Sequence, residues 1–315
     1  MAEYARKICK RLHAYARMGS YSGRISAIAP TVLRLDTEIG VLSVLSNTNC
    51  LHPFSLIVNQ TKPFTETDLF EGQAISFSDE RLSFADSELI IDVSQATDID
   101  LSVDVMKSLF LPLDLNLRIR HLTRIIEDGS GTQPLAALAT GGHMDSICES
   151  VSKQLPLLHA AVYEQILPDC RAAGAAVAGY GNGTTPDSDD LLEGYFAGYA
   201  ALSMALGRSR ERVQTMTREI AAAAAEHTTE LSAALLLQAG EGLVNEDLFR
   251  LLQSIFSDVP YRTVTADARR VAKSIVPSGI NLLVGICLAI TNQYIPARTV
   301  LHDSYKKELL KTAPF

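Results

Sequence analysis

The hydrophobic period of this chain changes once, near residue 101, and that change limits the folds open to it. From about Gly23 to Asp100 the runs RISAIAP, TVLRLDT, GVLSVLSN, FSLIVNQ, QAISFSD, RLSFAD and ELIIDV alternate β-branched or aromatic residues with polar ones, punctuated by Pro, Gly, Asn and Asp. Such a pattern predicts a small β-rich domain of about six strands, sandwich-like or barrel-like. Beyond Leu101 apolar residues recur in a three-four rhythm, as in VMKSLFLPLDLNLRIRHLTRIIED, where Pro112 predicts a break or kink. Helices are expected at roughly 143–172, 189–206, 208–226, 229–239, 245–256, 264–275, 280–291 and 296–310. The expected class is therefore α+β: an N-terminal helix and β-rich domain over 1–102, then a compact, mostly helical domain over 103–315. With 315 residues and 47% hydrophobic content, each domain has enough apolar side chains for its own core.

The helical part is rich in small residues, as in AAGAAVAG, AAAAAEHTTE and SAALLLQAG, which permits close helix approach. Two stretches, DDLLEG and INLLVG, share a polar start, paired leucines and a glycine, the mark of a short internal repeat.

Charge narrows the partners. A formal charge of -8 leaves little basic surface to hold a phosphodiester backbone, so no nucleic-acid partner is expected. The basic cluster Lys7, Lys10, Arg11 and Arg17 is spaced as one face of an amphipathic N-terminal helix, with Ile8, Leu12 and Tyr15 available to dock it on its own protein. INLLVGICLAI, the most apolar run, is only 11 residues long, short of the ~20 needed to span a bilayer, and reads as a buried helix. Cys9, Cys50, Cys148, Cys170 and Cys287 form no CxxC pair, which suggests reduced thiols in a cytoplasmic protein.

The densest local chemistry lies in GYGNGTTPDSDDLLEG, residues 179–194. Gly179, Gly181 and Gly183 allow positive φ or close backbone approach and lead into a helix start near Asp187 to Asp189. Backbone N–H groups in such a turn, followed by a helix N-terminus, attract anions. The aspartates have two readings. Asp187 or Ser188 caps the helix, while Asp189, Asp190 and Glu193 complement its dipole and Pro186 fits the helix start. Alternatively Asp189 and Asp190 are catalytic or ligating carboxylates, gripping substrate N–H groups or a divalent cation, with Asp187 completing a metal-hydrolase set. No cofactor is required by the sequence.

Two further polar sets carry the same ambiguity. In HTTELSAALLLQAGEG, Thr228, Thr229 and Ser232 make a helix-start pattern, or turn their hydroxyls to a ligand. In IVPSGINLLVG, Ser278 and Gly279 precede a helix with Asn281 in its first turn, a second helix-terminal anion site or another cap. His227 reads as an ordinary polar side chain.

Taken in order, these elements resemble the family of the AllH-like subunit of oxamate carbamoyltransferase. Its glycine segment, G-x-G-x-G-L-T-P-S-G-D-D-F-L-x-G, is matched by Gly179, Gly181, Gly183, Thr185, Pro186, Asp189, Asp190, Leu192 and Gly194. Its T-T-x-x-S-x-x-L-L-x-x-A-x-x-G segment is matched by Thr228, Thr229, Ser232, Leu235, Leu236, Ala239 and Gly242. Of its G-H-S-S-G-x-D-L-L-x-G element, Ser278, Gly279, Leu282, Leu283 and Gly285 remain, with Val276 and Pro277 at the His-Ser positions and Asn281 in place of Asp. Thr184 stands for Leu, and Asp187 and Ser188 for Ser-Gly. The resemblance implies a transferase subunit that acts with other carbamoyltransferase subunits in allantoin or related purine catabolism. Such a system converts a ureido substrate such as oxalurate with phosphate to oxamate and carbamoyl phosphate. It implies loop donors from Gly179 to Gly183, hydroxyls from Thr185, Thr228, Thr229, Ser232 and Ser278, and Asp189 and Asp190 at the substrate. The lost histidine and carboxylate leave open a catalytically degenerate regulatory or assembly subunit that binds a small anionic ligand.

Overall fold

The computed structural model describes residues 2–294 except 48, 61, 107, 130–132 and 275–277. It falls into two compact units, Met1–Val105 with Leu243–Arg250, and Met106–Gly242 with Leu251–Phe315.

The first unit is a closed β-sheet. Its strands are β1 (Ala2–Cys9), β2 (Tyr21–Ala29), β3 (Val32–Thr37), β4 (Gly40–Ser46), β5 (Ser55–Val58), β6 (Ala74–Ser78), β7 (Arg81–Phe84), β8 (Ile90–Asp92) and β9 (Thr97–Ile99). Their order is β5-β4-β3-β2-β6-β7-β8-β1-β9, and an added β1–β5 pairing closes the first eight into a barrel. Closure depends on β1, which pairs β8 through Ala2–Tyr4, then β9 through Lys7–Cys9, and β5 on its other edge. A register shift between Ala5 and Lys7 bends it. Alternation fills the interior: Ile25, Leu33, Leu35, Leu42, Val44 and Phe77 are buried.

The N-terminal helix is shorter than the basic spacing suggests. Residues 2–9 form β1, so Lys7 and Ile8 are strand residues, and α1 covers only Lys10–Met18. Lys7 pairs with Glu246, while Leu12 and Ala16 seat α1 in the core. Buried His13 faces Asp98 through Nδ1 (2.5 Å) and Glu80 through Nε2 (2.8 Å).

The second unit is helical: α2 (Leu115–Gly129), α3 (Ala137–Thr140), α4 (Ser146–Glu164), α5 (Leu167–Val177), α6 (Asp187–Ala205), α7 (Arg210–Ala225), α8 (Glu230–Gly240), the C-terminal part of α9 (Glu246–Ile255), α10 (Tyr261–Ala272) and α11 over 279–294. The region 143–172, expected as one helix, is two, because Gln165 adopts a left-handed conformation (φ 60) that ends α4. Pro112 precedes α2 rather than kinking it. The helix expected over 296–310 and the departures Val276 and Pro277 lie outside the described residues. Glycine notches set the spacing: a Cβ on Gly174 would overlap the Ile220 carbonyl, and one on Gly240 would meet Ala221 Cβ at 2.6 Å. Buried Arg118 ties the end of α9 by donating to Ser254 O (2.7 Å) and Ser257 O (2.8 Å). All five cysteines are free thiols, and among the described residues no helix is long and apolar enough to cross a membrane.

Candidate functional site

The centre of the helical unit is a pair of parallel helices in contact through glycines. A Cβ on Gly194 of α6 would overlap the Leu282 carbonyl of α11, and one on Gly198 would lie 3.0 Å from Ile286 Cα. Both contacts advance by four residues in the same direction, so the two N-termini lie side by side. A Cβ on Gly285 would in turn overlap the Leu191 carbonyl. Thus Gly194 meets Leu282 while Gly285 meets Leu191, and these four are equivalent positions of DDLLEG and INLLVG. The internal repeat is therefore a pseudo-twofold helix pair.

The polar groups at the paired N-termini follow the same symmetry. Asp190 accepts from the Ser278 backbone N–H at 2.7 Å. Asn281, its counterpart on α11, donates from Nδ2 to Asp187 Oδ1 at 2.7 Å, and Asp187 is the counterpart of Ser278. Each helix therefore supplies one side chain to the first turn of the other. Two positive helix ends converge here, and acidic groups of the chain itself stand against them.

The glycine loop folds over this point. Gly179, Gly181 and Gly183 have φ of 81, 125 and 92, which L side chains rarely adopt. Gly181 needs glycine for space as well, because a Cβ there would lie 2.5 Å from Asp187 Oδ2. Asp189, 1 % exposed, gathers the segments: its Oδ1 accepts from Gly179 N–H at 2.8 Å, and its Oδ2 accepts from Ser232 Oγ at 2.7 Å and from the Thr228 hydroxyl. Ser188 Oγ accepts from Tyr180 N–H at 2.9 Å, and the Ser188 N–H returns a bond to the Tyr180 carbonyl. The exposed residues of the loop are Asn182 to Thr184, with Gly181 and Thr185 half-buried.

Several expected roles change as a result. The N-cap of α6 is Pro186, with no side-chain cap bond, so neither Asp187 nor Ser188 caps the helix. Gly179 does not offer its N–H outward, since Asp189 takes it. Thr229 is a true cap, accepting from Ser232 N–H at 3.2 Å and donating to Thr184 O at 2.6 Å, whereas Thr228 bonds Asp189 instead. Gly279 is a packing position, where a Cβ would overlap the Val271 carbonyl, and its N–H goes to Ser274 O. The histidine near the cluster, His227, is exposed, and its carbonyl rather than its ring abuts Gly179. Asp187, Asp189 and Asp190 turn to different partners. Among the described residues no three His, Cys, Asp or Glu side chains converge as a metal site.

Three participants carried little sequence signal. Gln133 Oε1 accepts from Ser278 Oγ at 2.9 Å. Asp145, the N-cap of α4, adds charge beside Asp187. Glu193, one turn beyond Asp190, is 6 % exposed. Burial pushes Asp190 up to about 9, against the opposing Ser278 N–H, and the nearby Glu193, Asp187 and Asp189 charges push the same way. Burial alone pushes Glu193 up to about 8. Asp187 is raised by burial and by Asp145, with the Asn281 amide opposing. At neutral pH Asp190 and Glu193 therefore hold protons and act as neutral acids.

These features define an α+β protein with a closed β-barrel unit and a helical unit built around a pseudo-symmetric helix pair, whose N-termini gather a glycine loop, a Thr-Thr-x-x-Ser segment and a Ser-Gly segment. Residues 177–290, which contain all three segments, match the family model described as oxamate carbamoyltransferase subunit AllH, and the chain is AllH-like over that span. No curated protein and no solved structure matches it.

Proposed function

We propose that the chain is a subunit of a carbamoyltransferase-type system, in which its helical unit binds a small ureido or oxamate-like ligand beside phosphate or carbamoyl phosphate. One observation carries the reading: the three AllH-like segments meet at a single point, the paired N-termini of α6 and α11. Transfer of a carbamoyl group needs a planar carbonyl and a phosphate held in attack geometry, with donors for the developing oxyanion. The exposed loop residues Asn182 to Thr184 and the converging helix dipoles supply donors and positive potential for the anionic end. Asp190 and Glu193, as neutral acids, suit the ureido end. Asp189 takes a positioning role, because both its oxygens already hold the loop to Thr228 and α8. The same fact favours a second reading, a regulatory or assembly subunit that binds a small anion without reacting it.

The test is co-expression with partner carbamoyltransferase subunits, followed by measurement of phosphate-dependent carbamoyl phosphate formation from oxalurate. Turnover that collapses in Gly181→Ala with assembly intact supports the transferase reading. Stable assembly with turnover unaffected by that change supports the regulatory one. Neither carbamoyl phosphate binding nor transfer, alone or in the complex, would overturn the proposal.

A further inference from the structure

Two surfaces of the helical unit carry exposed apolar side chains beside unpaired charges, and the charges are of opposite sign. The first runs along the outer face of α2. Leu113, just before the helix, is fully exposed (108 %), Phe110 and Leu117 are exposed with it, and Arg120 and Arg124 continue the line. Leu117, Arg120 and Arg124 are spaced i, i+3, i+7, which places them on one side of α2, opposite the buried Leu115, Leu122 and Ile126. Asp114 pairs with Arg118, whereas Arg120 and Arg124 have neither a hydrogen bond nor an ion pair among the described residues. The second surface is the turn from α4 into α5. Tyr163, Ile166 and Leu167 are exposed there, and Glu164 and Asp169 are interspersed with them in sequence, likewise without a hydrogen bond or ion pair among the described residues. Arg171, two residues further on, is already paired with Glu219 at 3.1 Å.

Single apolar side chains on a surface are ordinary, but a line of three beside free arginines leaves apolar area in water that a contact would remove. Arginine and aromatic side chains among aliphatic ones are the composition of interface cores. Glu164 ends α4, where the helix dipole favours a cation over an anion, so its charge does not serve its own helix. The chain as a whole carries a charge of -8, which makes an unpaired cationic pair beside an apolar line the exception and selects an acidic, apolar counterpart. The turn between α4 and α5 has that composition, on the same polypeptide.

We infer that the outer face of α2 is an interaction surface for a second copy of the chain. The Phe110, Leu113 and Leu117 line of one copy docks on the Tyr163, Ile166 and Leu167 surface of the next, with Arg120 and Arg124 facing Glu164 and Asp169. Two different surfaces meet, so a two-fold arrangement uses the contact twice and closes a dimer, while any other closing rotation gives a larger ring. The inference does not depend on the ligand or on the carbamoyltransferase reading.

The test is sedimentation velocity on the full chain at micromolar concentration. The wild type is expected to sediment as a dimer or a larger closed assembly. Leu113→Asp is expected to be monomeric with an unchanged far-UV circular dichroism spectrum, because a fully exposed side chain supports no packing within the chain. Arg120→Glu and Glu164→Lys are each expected to weaken association by about tenfold or more, since each sets like charges against one another. Mixing those two variants is expected to restore association, because the reversed α2 face of one meets the reversed turn of the other, a rescue that association through any other surface would not produce. A monomeric wild type, an assembly that these substitutions leave intact, or a weakening that the mixture does not reverse would each overturn the inference. Loss of a partner carbamoyltransferase subunit from a monomeric chain on Leu113→Asp would assign the α2 face to that subunit and overturn it as well.

Discussion

Replacing Asp190 by asparagine gives a stability change whose sign depends on pH. The folded chain holds the Asp190 proton up to about 9 because burial disfavours the charge. The unfolded chain releases it near 3.9, the ordinary aspartate value. Between these limits the native state binds one proton more than the unfolded state, so stability falls as pH rises, by up to about 1.4 kcal/mol per pH unit from this group. From pH 6 to pH 8 the wild type therefore loses ~2.7 kcal/mol that Asp190→Asn does not. Asparagine keeps the acceptor for Ser278 N–H, and an asparagine already occupies the symmetry-related position 281. The variant is expected to match or trail the wild type near pH 5 and to exceed it at pH 8. The groups facing Asp190 are Glu193, Asp187, Asp189 and the Ser278 N–H, and Glu193 adds a slope of the same sign up to about 8. Denaturant unfolding followed by far-UV circular dichroism at pH 5, 6, 7 and 8 measures the difference. A wild-type minus variant stability constant to within ~0.5 kcal/mol across that range would refute the burial argument.

Other expectations follow from the same contacts. Asp189→Ala leaves the Gly179 N–H and two hydroxyls without their acceptor and is expected to cost ~3–5 kcal/mol, against ~1 kcal/mol for Ser232→Ala, measured by denaturant unfolding. Gly285→Ala forces a Cβ into the Leu191 carbonyl and is expected to unfold the helical unit or cost more than ~3 kcal/mol, whereas Gly183→Ala, strained only by its φ of 92, costs ~1–2 kcal/mol. Arg118→Leu leaves the carbonyls after α9 unpaired and is expected to lower the melting temperature at every pH between 5 and 8.

Sequence periodicity is enough to read the β-rich and helical halves, and the seven alternating runs correspond to β2 through β8. The two strands it misses, β1 and β9, lie where a barrel closes. AEYARKIC places charges at a helix-like spacing, yet its partners β5, β8 and β9 come from distant sequence that no local period encodes. The three polar segments are legible as motifs, and the repeat DDLLEG and INLLVG contains the helix pair in outline. Their bonding is not legible, because an aspartate in a first turn reads as a dipole partner whether it faces solvent, its own loop or another helix. Glu193 is the clearest case: local sequence gives a complement to the helix dipole, and only tertiary packing leaves it 6 % exposed.

That packing also explains why a glycine-rich turn suited to anions carries so many acids. Two parallel helices placed N-terminus to N-terminus put two positive dipole ends in one spot, which repel unless something electron-rich stands between them. In this chain the electron-rich groups are its own: Asp189 takes the first loop N–H, Asp190 takes the N–H before α11, and Asp187 takes the Asn281 amide. The amide at 281 matters to this arrangement, since an aspartate there would set a further acid against Asp187 with no proton donor to join them. Asn281 Oδ1 meets no donor among the described residues. Exchanging Asn281 for aspartate is therefore expected to lose the bond to Asp187 and weaken the helix pair, read as a lower denaturant midpoint at neutral pH.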